Sequence, residues 1–375
     1  MNHYVSFWEQ ETYFSPQDFI IVGSGLVGLW TAYALKKKYL KAKITILERG
    51  VVPTGASTRN AGFACFGSPS EMISDIETMG ENDLWNLVEM RYRGIEKMRD
   101  LLGDESIGFD RSGGYECFTN DKNNFQKLED KINLLNIDFQ KLTKVNNVFK
   151  WNNEKLKEQN LTGFDALIEN KHEGGIHSGK LVLNLSKMVQ NLGVQILYGM
   201  EVKSWQNEKG GLKVETNHCT LKTNQMIVAT NAFSNNLIPQ LNIKPSRGQI
   251  LVTEPISGLK LNGTFHFDEG YYYFRNIGNR ILLGGARNAD FVAEETTDLD
   301  TTSNIQQSLE TFLQHHIIKG VNYKISNKWS GVMAFTQNKM PIIRVVEPNV
   351  TCIVCCNGMG VAISPIIAEK VANLM

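Results

Sequence analysis

The sequence lacks long apolar runs, an excess of either charge and a recognisable secretory leader. No apolar run reaches the ~18 residues of a membrane-spanning helix, and the N-terminal "MNHYVSFWEQETYF" has neither the basic nor the apolar region of a signal peptide. Lys and Arg together number 39, as do Asp and Glu, so no overall charge attracts the chain to nucleic acid or to an anionic membrane. These absences predict a cytoplasmic protein whose partner is a small molecule.

The cysteines lack the spacing of a metal site or a disulfide framework. No second Cys or His pair with zinc spacing exists, and the run "CIVCC" at 352–356 is typical of a buried strand that uses Cys as a small hydrophobic residue. We therefore predict no metal site. The cysteines lie at positions 65, 117, 219, 352, 355 and 356.

Neither internal repeats nor low-complexity linkers divide the 375 residues, a length that suffices for two hydrophobic cores. Strand and helix patterns alternate at first, are interrupted by helices at 84–102 and 123–136, resume from 172, and become antiparallel over 245–329. We predict an α/β protein: a Rossmann-type nucleotide-binding domain with a βαβ unit and a mixed sheet, and an inserted α+β substrate domain on an antiparallel sheet. The first comprises 1–83, 165–242 and 335–375, and the second comprises 84–164 and 243–334.

Three glycines follow the first predicted strand directly. Gly23, Gly25 and Gly28 form G-x-G-x-x-G in "IIVGSGLVGLW", a spacing that allows a tight turn, close approach of a pyrophosphate and close packing of the following helix. Glu48 ends the second strand, where a carboxylate binds the adenosine ribose. The pattern predicts a bound dinucleotide, and it serves NAD and FAD equally well.

A second polar loop distinguishes between the two cofactors. The segment "PTGASTRNAGFACFG" at 53–67 comes soon after Glu48 and contains Arg59. Its backbone N–H groups and hydroxyls can bind a ligand that extends past the first phosphate site. No second G-x-G-x-x-G is present for a reductase that also binds NAD(P), so we favour FAD.

The ordered motifs resemble those of the D-amino acid oxidase/glycine oxidase family of FAD-dependent oxidoreductases. The resemblance covers nearly the whole chain, and "GASTRNAG", "ATNAFS" and "WSGVMAFTQNKMP" look closest to the gamma-glutamylputrescine oxidoreductase type. The segments that carry it are "IIVGSGLVGLWTAYAL", "GASTRNAGF", "IVATNAFS", "PSRGQIL", "YYYFRNIGNRILLGG" and "CNGMGVAISP".

The resemblance implies an FAD held between the Rossmann domain and the substrate domain. The helix opened by "NGMGVAIS" would then approach the pyrimidine end of the flavin, where a helix N-terminus stabilises negative charge. The expected cofactor-binding residues are Gly23, Gly25, Leu26, Val27, Gly28, Glu48, Arg49, Gly55, Ala56, Ser57, Arg59, Asn60, Ala61, Gly62, Val202, Ala229, Thr230, Asn231, Gly358, Met359, Gly360, Val361 and Ala362.

The reaction implied by the resemblance is the oxidation of a C–N bond. A hydride passes to flavin N5, the imine is hydrolysed, and oxygen or another acceptor takes the electrons. The substrate would be a small amine or an amino-acid-like molecule. On "GYYYFRN" the period of two places Tyr271, Tyr273 and Arg275 on one face, and similarity to the relatives favours this face for the substrate.

The sequence departs from the family at four positions. Met333 replaces an arginine that binds substrate carboxylates, or a cysteine that carries the flavin, and Thr58 replaces a flavin-linking histidine. We therefore expect noncovalent FAD. Leu282 and Ala362 replace lysines used for oxygen and for the substrate carboxylate, which leaves the electron acceptor open.

Other readings of the motifs remain. A flavin dehydrogenase of a 2-hydroxy acid would need a carboxylate site involving Arg275, whereas an aromatic cage of Tyr271, Tyr273 and Phe63 favours an amine. A catalytically idle flavin protein or a tRNA-modifying component is a third class, against which the absence of a basic aromatic stretch counts. The candidate anion-binding residues are Arg275, Arg287, Arg247 and Lys339.

Overall fold

The structure is a computed structural model that describes residues 5–120, 125–336, 338–354 and 356–375. Cys355, the first four residues and the start of the helix expected at 123–136 lie outside these ranges. The helices are Phe7–Thr12 (α1), Leu26–Lys38 (α2), Ala56–Arg59 (α3), Pro69–Met79 (α4), Glu81–Leu102 (α5), Asp104–Ile107 (α6), Phe125–Thr143 (α7), Glu154–Glu158 (α8), Ser178–Asn191 (α9), Ser303–Phe312 (α10) and Gly360–Leu374 (α11).

The first sheet contains the N-terminal strand of the motif. It is built from β1 (Gln17–Val22), β2 (Ile44–Glu48), β8 (Gln195–Tyr198), β9 (Val202–Glu208), β10 (Gly211–Thr216), β11 (Thr220–Val228), β17 (Ile342–Glu347) and β18 (Val350–Val354). The order is β17-β18-β11-β1-β2-β8, parallel except at β17. In addition, β10 pairs antiparallel with β11, and β9 pairs antiparallel with β10. The predicted mixed sheet with its βαβ unit is confirmed.

Both faces of this sheet are buried, which explains the continuous apolar run of β1. Ile21 packs into the core formed with α2, α5 and α11. Its neighbour Ile20 points to the opposite face and packs against the β9–β11 segment. Since both side-chain directions are covered, the strand carries no polar alternation.

The second sheet is mostly antiparallel, as predicted. Its strands are β4 (Gly114–Phe118), β5 (Lys150–Trp151), β6 (Ala166–Asn170), β12 (Lys244–Thr253), β13 (Thr264–Phe267), β14 (Tyr272–Ile277), β15 (Arg280–Gly285) and β16 (Ile325–Phe335). Their order is β16-β12-β15-β14-β13-β4-β6-β5, and only β13 and β4 pair in parallel. A short pair, β3 (Phe63–Ala64) with β7 (Gly174–Gly175), lies apart from both sheets.

Two elements lie across the domain boundaries drawn from the sequence. The boundary at residue 165 assigns β6 to the nucleotide-binding part, yet β6 pairs with β4 and β5 in the second sheet. The helix expected at 84–102 was assigned to the substrate part, yet α5 packs on α11 and joins the core of the first sheet. The remaining boundaries stay a prediction. Contacts between segments far apart along the chain determine where β6 and α5 lie, and local sequence patterns do not predict such contacts.

The cysteine-containing strand near the C-terminus is buried. Every residue of β18, Cys352 included, lies in the interior, as expected for a small hydrophobic side chain. In the parts of the chain that the structure describes, no group of three or more His, Cys, Asp or Glu residues is placed to hold a metal ion. Over the same residues, none of the helices combines the length and the apolar character that a membrane crossing requires.

Candidate active site

A cavity of about 700 Å³ lies between the carboxyl ends of β1 and β2 and one face of the second sheet. Ligands of open α/β sheets bind at such strand ends. Gly28 and Gly62 lie outside the lining. The expected cofactor-binding residues that line the cavity are Gly23, Gly25, Leu26, Val27, Glu48, Arg49, Gly55, Ala56, Ser57, Arg59, Asn60, Ala61, Val202, Ala229, Thr230, Asn231, Gly358, Met359, Gly360, Val361 and Ala362.

The N-terminus of α2 faces this cavity without a side-chain cap. Its N-cap residue, Gly25, has extended backbone, and the first N–H groups of any helix lack helical partners. One of them, the Leu26 amide, donates to Ser57 Oγ at 2.9 Å. A Cβ at Gly25 would lie 2.9 Å from the same hydroxyl. The bare helix end therefore suits an anionic phosphate group.

The other two motif glycines let backbone segments approach each other. Gly23 has φ +103, which favours Gly, and a Cβ there would lie 2.9 Å from the Ala229 carbonyl oxygen. A Cβ at Gly28 would lie 2.0 Å from the Gly23 carbonyl oxygen. Gly28 thus serves the packing of α2 on β1, which explains why it does not line the cavity.

Glu48 ends β2 with a fixed, buried carboxylate. Its Oε2 accepts hydrogen bonds from the Ser24 amide at 3.0 Å and the Ser24 hydroxyl at 2.8 Å. Its Oε1 accepts one from the Gly50 amide at 2.9 Å. A carboxylate has about four lone-pair sites, so an acceptor remains for a ligand hydroxyl.

The loop after β2 is tied to the second sheet by α3. Arg59 Nη1 donates to the Ser330 carbonyl at 2.9 Å, and Trp329 Nε1 donates to the Arg59 carbonyl at 3.0 Å. Asn60 Oδ1 accepts from the Gly62 amide at 2.9 Å. Thr58 donates to a backbone carbonyl and lies outside the cavity lining.

A second bare helix end faces the cavity from α11. Gly358 adopts φ +78, and the helix begins at Gly360 without a side-chain cap. The amides of Gly360, Val361 and Ala362 are in its first turn and have no helical partner. Two helix N-termini, one at each of two strand ends, therefore give the cavity positive potential at two points.

One end of the cavity is largely aromatic. We call it the aromatic end and define it by Phe63, His266, Tyr271, Tyr273 and Arg287. The Phe63 ring lies 5.9 Å from that of Tyr273 and 5.1 Å from that of His266. Burial raises the pKa of Tyr273 to about 12, so its hydroxyl is a neutral hydrogen-bond donor. The alternation of the strand places Tyr273 toward the cavity.

Arg275 shares the face of Tyr273 but does not reach the cavity. Its guanidinium donates to the backbone carbonyls of Gly62 and Ile176, the second at 2.9 Å, and burial lowers its pKa to about 10. The structure thus places Arg275 outside the lining of the cavity, apart from Tyr271 and Tyr273, with which it was expected to share the substrate site. The two carbonyls that accept hydrogen bonds from Arg275 belong to segments far away along the chain, so the alternation of the strand does not predict them.

Two other candidate anion-binding cations are already paired with carboxylates. Arg247 and Glu294 are both buried and form a bidentate pair, with Nη2 to Oε1 at 2.7 Å and Nε to Oε2 at 3.0 Å. Lys339 lines the cavity, and its Nζ lies 2.5 Å from Asp75 Oδ1 and 3.5 Å from Glu71 Oε1.

Arg287 is the remaining candidate. It lines the cavity and donates through Nη1 to Ser246 Oγ at 2.5 Å. Ser246 lies opposite Met333 in the pairing of β12 with β16. The guanidinium is therefore beside the strand position where this sequence has methionine.

The sequence patterns do not single out His266 or the α4 residues Glu71 and Asp75, although these three residues line the cavity. His266 pairs with Tyr273 across β13 and β14, so only the register of the sheet brings them together. Burial lowers the pKa of His266 below its ordinary value, which keeps the imidazole neutral at pH 7. The alternation in "TFHF" could have indicated its face, but not its neighbours.

A cavity at the strand ends, two helix N-termini and a fixed carboxylate are the features of a protein that binds a dinucleotide cofactor. The chain belongs to the family described as "DAO: FAD dependent oxidoreductase", whose sequence model matches residues 18–374. FAD is thus its cofactor, and the family expected from the motifs is confirmed.

Similar proteins match almost the full length of the chain. A probable oxidoreductase OrdL of Haemophilus influenzae is 26% identical over 374 residues, covering 95% of this chain and 82% of that protein. Gamma-glutamylputrescine oxidoreductase of Escherichia coli is 26% identical over 373 residues, with 96% and 83% covered. The crystal structure of glycine oxidase from Geobacillus kaustophilus superposes with a TM-score of 0.76 at 18% identity, covering 96% of this chain and 94% of that one.

Proposed function

We propose that this protein oxidises a carbon–nitrogen bond of a small amine or a modified amino acid. Bound FAD would supply the acceptor for the hydride that leaves the carbon next to nitrogen, and water would hydrolyse the imine product. The observation that carries the proposal is the direct continuation of a cofactor site into an aromatic end lined by Phe63, Tyr271 and Tyr273. The match to gamma-glutamylputrescine oxidoreductase, named for an amine derivative, supports it.

The chain's own residues would hold FAD at three places. The uncapped N-terminus of α2 suits the pyrophosphate, Glu48 suits a ribose hydroxyl, and the N-terminus of α11 suits the electron-rich edge of the flavin ring. Neither Thr58 nor Met333 can form the linkages known in relatives. We therefore expect FAD to be bound noncovalently.

The side chains of the aromatic end can bind an amine and fix its orientation. Aromatic faces attract an ammonium group, and the neutral imidazole of His266 can accept the proton that the amine must lose before hydride transfer. Tyr271 and Tyr273 supply hydroxyl donors that orient the substrate. The alternative, a 2-hydroxy acid dehydrogenase, relied on Arg275, which is held by backbone carbonyls.

The test is a reduction screen without oxygen. Purified holoenzyme is mixed with diamines, N-alkyl amines, amino acids and 2-hydroxy acids, and loss of the flavin absorbance is recorded before air is admitted. We expect amines or amino acids to bleach the flavin. Fast return of colour in air identifies oxygen as the acceptor, and slow return indicates another acceptor. Bleaching by hydroxy acids alone would contradict the proposal.

A matched pair of variants tests the role of the aromatic end. Tyr273→Phe removes one hydroxyl from the cavity, and we expect bleaching to slow about fivefold, since a hydrogen bond contributes roughly 1 kcal/mol. Tyr272→Phe is the control because Tyr272 points to the opposite face and stacks on Phe312 at 4.3 Å. Equal effects of both changes would indicate a structural role only.

A further inference from the structure

One face of helix α4, which we call the α4 face, lines the cavity with polar side chains. Glu71 and Asp75 lie one turn apart on this helix, and both line the cavity. Ser74 and Thr78 continue the same face. On the other side of the helix, Met72 is buried in the core of the first sheet. The helix thus turns two carboxylates towards an enclosed cavity, where a charge is costly unless it is paired.

Among the residues that the structure describes, the ion pairs of Glu71 and Asp75 involve the same cation. Lys339 Nζ lies 2.5 Å from Asp75 Oδ1 and 3.5 Å from Glu71 Oε1. Arg91 is buried outside the cavity lining, and its charge also acts on both carboxylates. At the α4 face itself, one ammonium group is therefore shared by two carboxylates.

One oxygen of Asp75 lacks a hydrogen-bond donor. Asp75 is 1% exposed, and within the described parts of the chain its Oδ2 has no hydrogen-bond partner. A buried carboxylate oxygen without a donor is costly. Burial and the charge of Glu71 raise the pKa of Asp75, so the charged carboxylate is incompletely compensated here. A second cation at this place would stabilise it.

Glu71 connects the α4 face with the aromatic end. Burial alone would raise the pKa of Glu71, but neighbouring cations, Lys339 foremost, outweigh burial and lower it overall. Its carboxylate is therefore charged at pH 7. The same charge acts on His266 of the aromatic end. A ligand in the aromatic end that carries a cation on a short chain can thus reach the α4 face within one cavity.

We propose that the α4 face binds a second ammonium group of the substrate, one that is not oxidised. The inference rests on the proposed function, since it takes the aromatic end as the place of the reacting amine. Lys339 shows that one ammonium group can contact both carboxylates, and an ammonium group has three N–H donors. The substrate class is thereby narrowed to diamines and other amines with a second basic nitrogen. A monoamine would leave Asp75 Oδ2 without a donor.

The test compares a diamine with the matching monoamine. Holoenzyme is mixed without oxygen with 1,4-diaminobutane or with butylamine, and dissociation constants are taken from the concentration dependence of flavin bleaching. Where an amine does not bleach the flavin, the rise in melting temperature with amine concentration gives the constant instead. We expect the diamine to bind at least about tenfold more tightly than the monoamine, the scale of a hydrogen bond to a charged group.

Variants of the α4 face should change diamine binding in opposite directions. Glu71→Gln and Asp75→Asn should each raise the dissociation constant of the diamine about tenfold and leave that of the monoamine within about twofold. Lys339→Gln should lower the dissociation constant of the diamine about threefold, because it removes a cation that competes for the carboxylates. A merely structural role of these residues would not produce effects of opposite sign.

The control is Glu77→Gln. Glu77 lies on the same helix outside the cavity lining, and its side chain is 74% exposed, so both dissociation constants should match those of the unmodified protein. If Asp75→Asn does not fold with FAD, Glu71→Gln decides, because the pair of Glu71 with Lys339 is the longer one. Equal binding of the two amines by the unmodified protein, unchanged diamine affinity in Glu71→Gln, or weaker diamine binding in Lys339→Gln would overturn the proposal.

The two proposals fail in distinguishable ways. Diamine binding that depends on Glu71, without bleaching by any amine or amino acid, would refute C–N oxidation and leave the ammonium site at the α4 face standing. Bleaching by monoamines and diamines with equal dissociation constants, unaffected by Glu71→Gln, would do the reverse.

Discussion

At the scale of single residues, buried carboxyl groups near the cavity determine how stability responds to pH. Glu173 is 3% exposed, and its Oε1 accepts from the Phe66 amide at 2.8 Å. Burial raises its pKa to about 8. Burial likewise raises the pKa of Glu116 to about 7. Both groups are therefore protonated in the folded protein at pH values where an exposed carboxyl is charged.

We predict that the Glu173→Gln variant loses less stability than the original protein when the pH is raised. Between the ordinary pKa of 4.5 and the folded value of about 8, the unfolded chain has released this proton and the folded chain has kept it. The contribution of Glu173 to the free energy of unfolding is fully present below pH 4.5 and is lost as the pH rises to about 8. We expect the variant to gain about 3 kcal/mol relative to the original between pH 5 and 8.

Denaturant unfolding at several pH values measures the difference. At each pH, the free energy of unfolding of the variant is subtracted from that of the original protein. This difference cancels the contributions of Glu116 and the histidines, which both proteins share. A free-energy difference that stays constant across this pH range would show that Glu173 does not titrate there.

At the scale of elements, the crossing of α5 and α11 positions the second bare helix end. A Cβ at Gly94 would lie 1.9 Å from the Ala362 carbonyl oxygen and 3.4 Å from Pro365 Cδ. Ala362 lies in the first turn of α11 and lines the cavity. The close approach of the two helices at Gly94 thus positions the first-turn amides of α11 beside the cavity.

We predict that Gly94→Ala weakens FAD binding and lowers stability by about 2 kcal/mol, the usual cost of forcing extra atoms into a packed core. Arg93→Ala is the control because Arg93 is exposed on the same helix and pairs with Glu89 at 3.3 Å. The loss of such a surface pair should cost about 0.5 kcal/mol or less. Flavin titration of the apoproteins and thermal melting report the two effects. Lower stability with unchanged FAD affinity would show that the crossing does not position α11.

At the scale of the whole molecule, the cavity is shared by the two sheets. Gly23 and Glu48 belong to the first sheet and its loops, and Ile250 and Tyr273 to the second. A ligand that contacts both should stabilise the chain as one unit, because it binds the folded state only.

We predict that removing FAD lowers the melting temperature of the entire chain in one transition. Free FAD at a hundred times its dissociation constant should restore about 2.7 kcal/mol. Calorimetry of apoprotein and holoprotein checks this, and filtration after denaturation should release the flavin if it is noncovalent. Two transitions, only one of which responds to FAD, would contradict a cofactor site shared by the two sheets.

The cofactor end was largely predictable because its signals are local. Gly23, Gly25 and Gly28 lie within one strand–turn–helix segment, and Glu48 follows at the end of the next strand. The atoms that a Cβ at Gly23 or Gly25 would meet belong to distant segments, at Ala229 and Ser57. The alternation of "YYYFRN" likewise indicates which side chains share a face, since the period of a strand is a property of the backbone. The mixed sheet and the antiparallel sheet followed from these patterns.

The sequence by itself determined the family, the cofactor and the face of β14 that points toward the cavity. Only the tertiary structure decided which cation faces the cavity: Arg275 is held by the carbonyls of Gly62 and Ile176, whereas Arg287 is turned into the cavity by its neighbours. The placement of β6 and the pairing of His266 with Tyr273 depend in the same way on long-range register. Local periodicity fixes the direction of a side chain, but its neighbours come from segments far away along the chain, which no short pattern records.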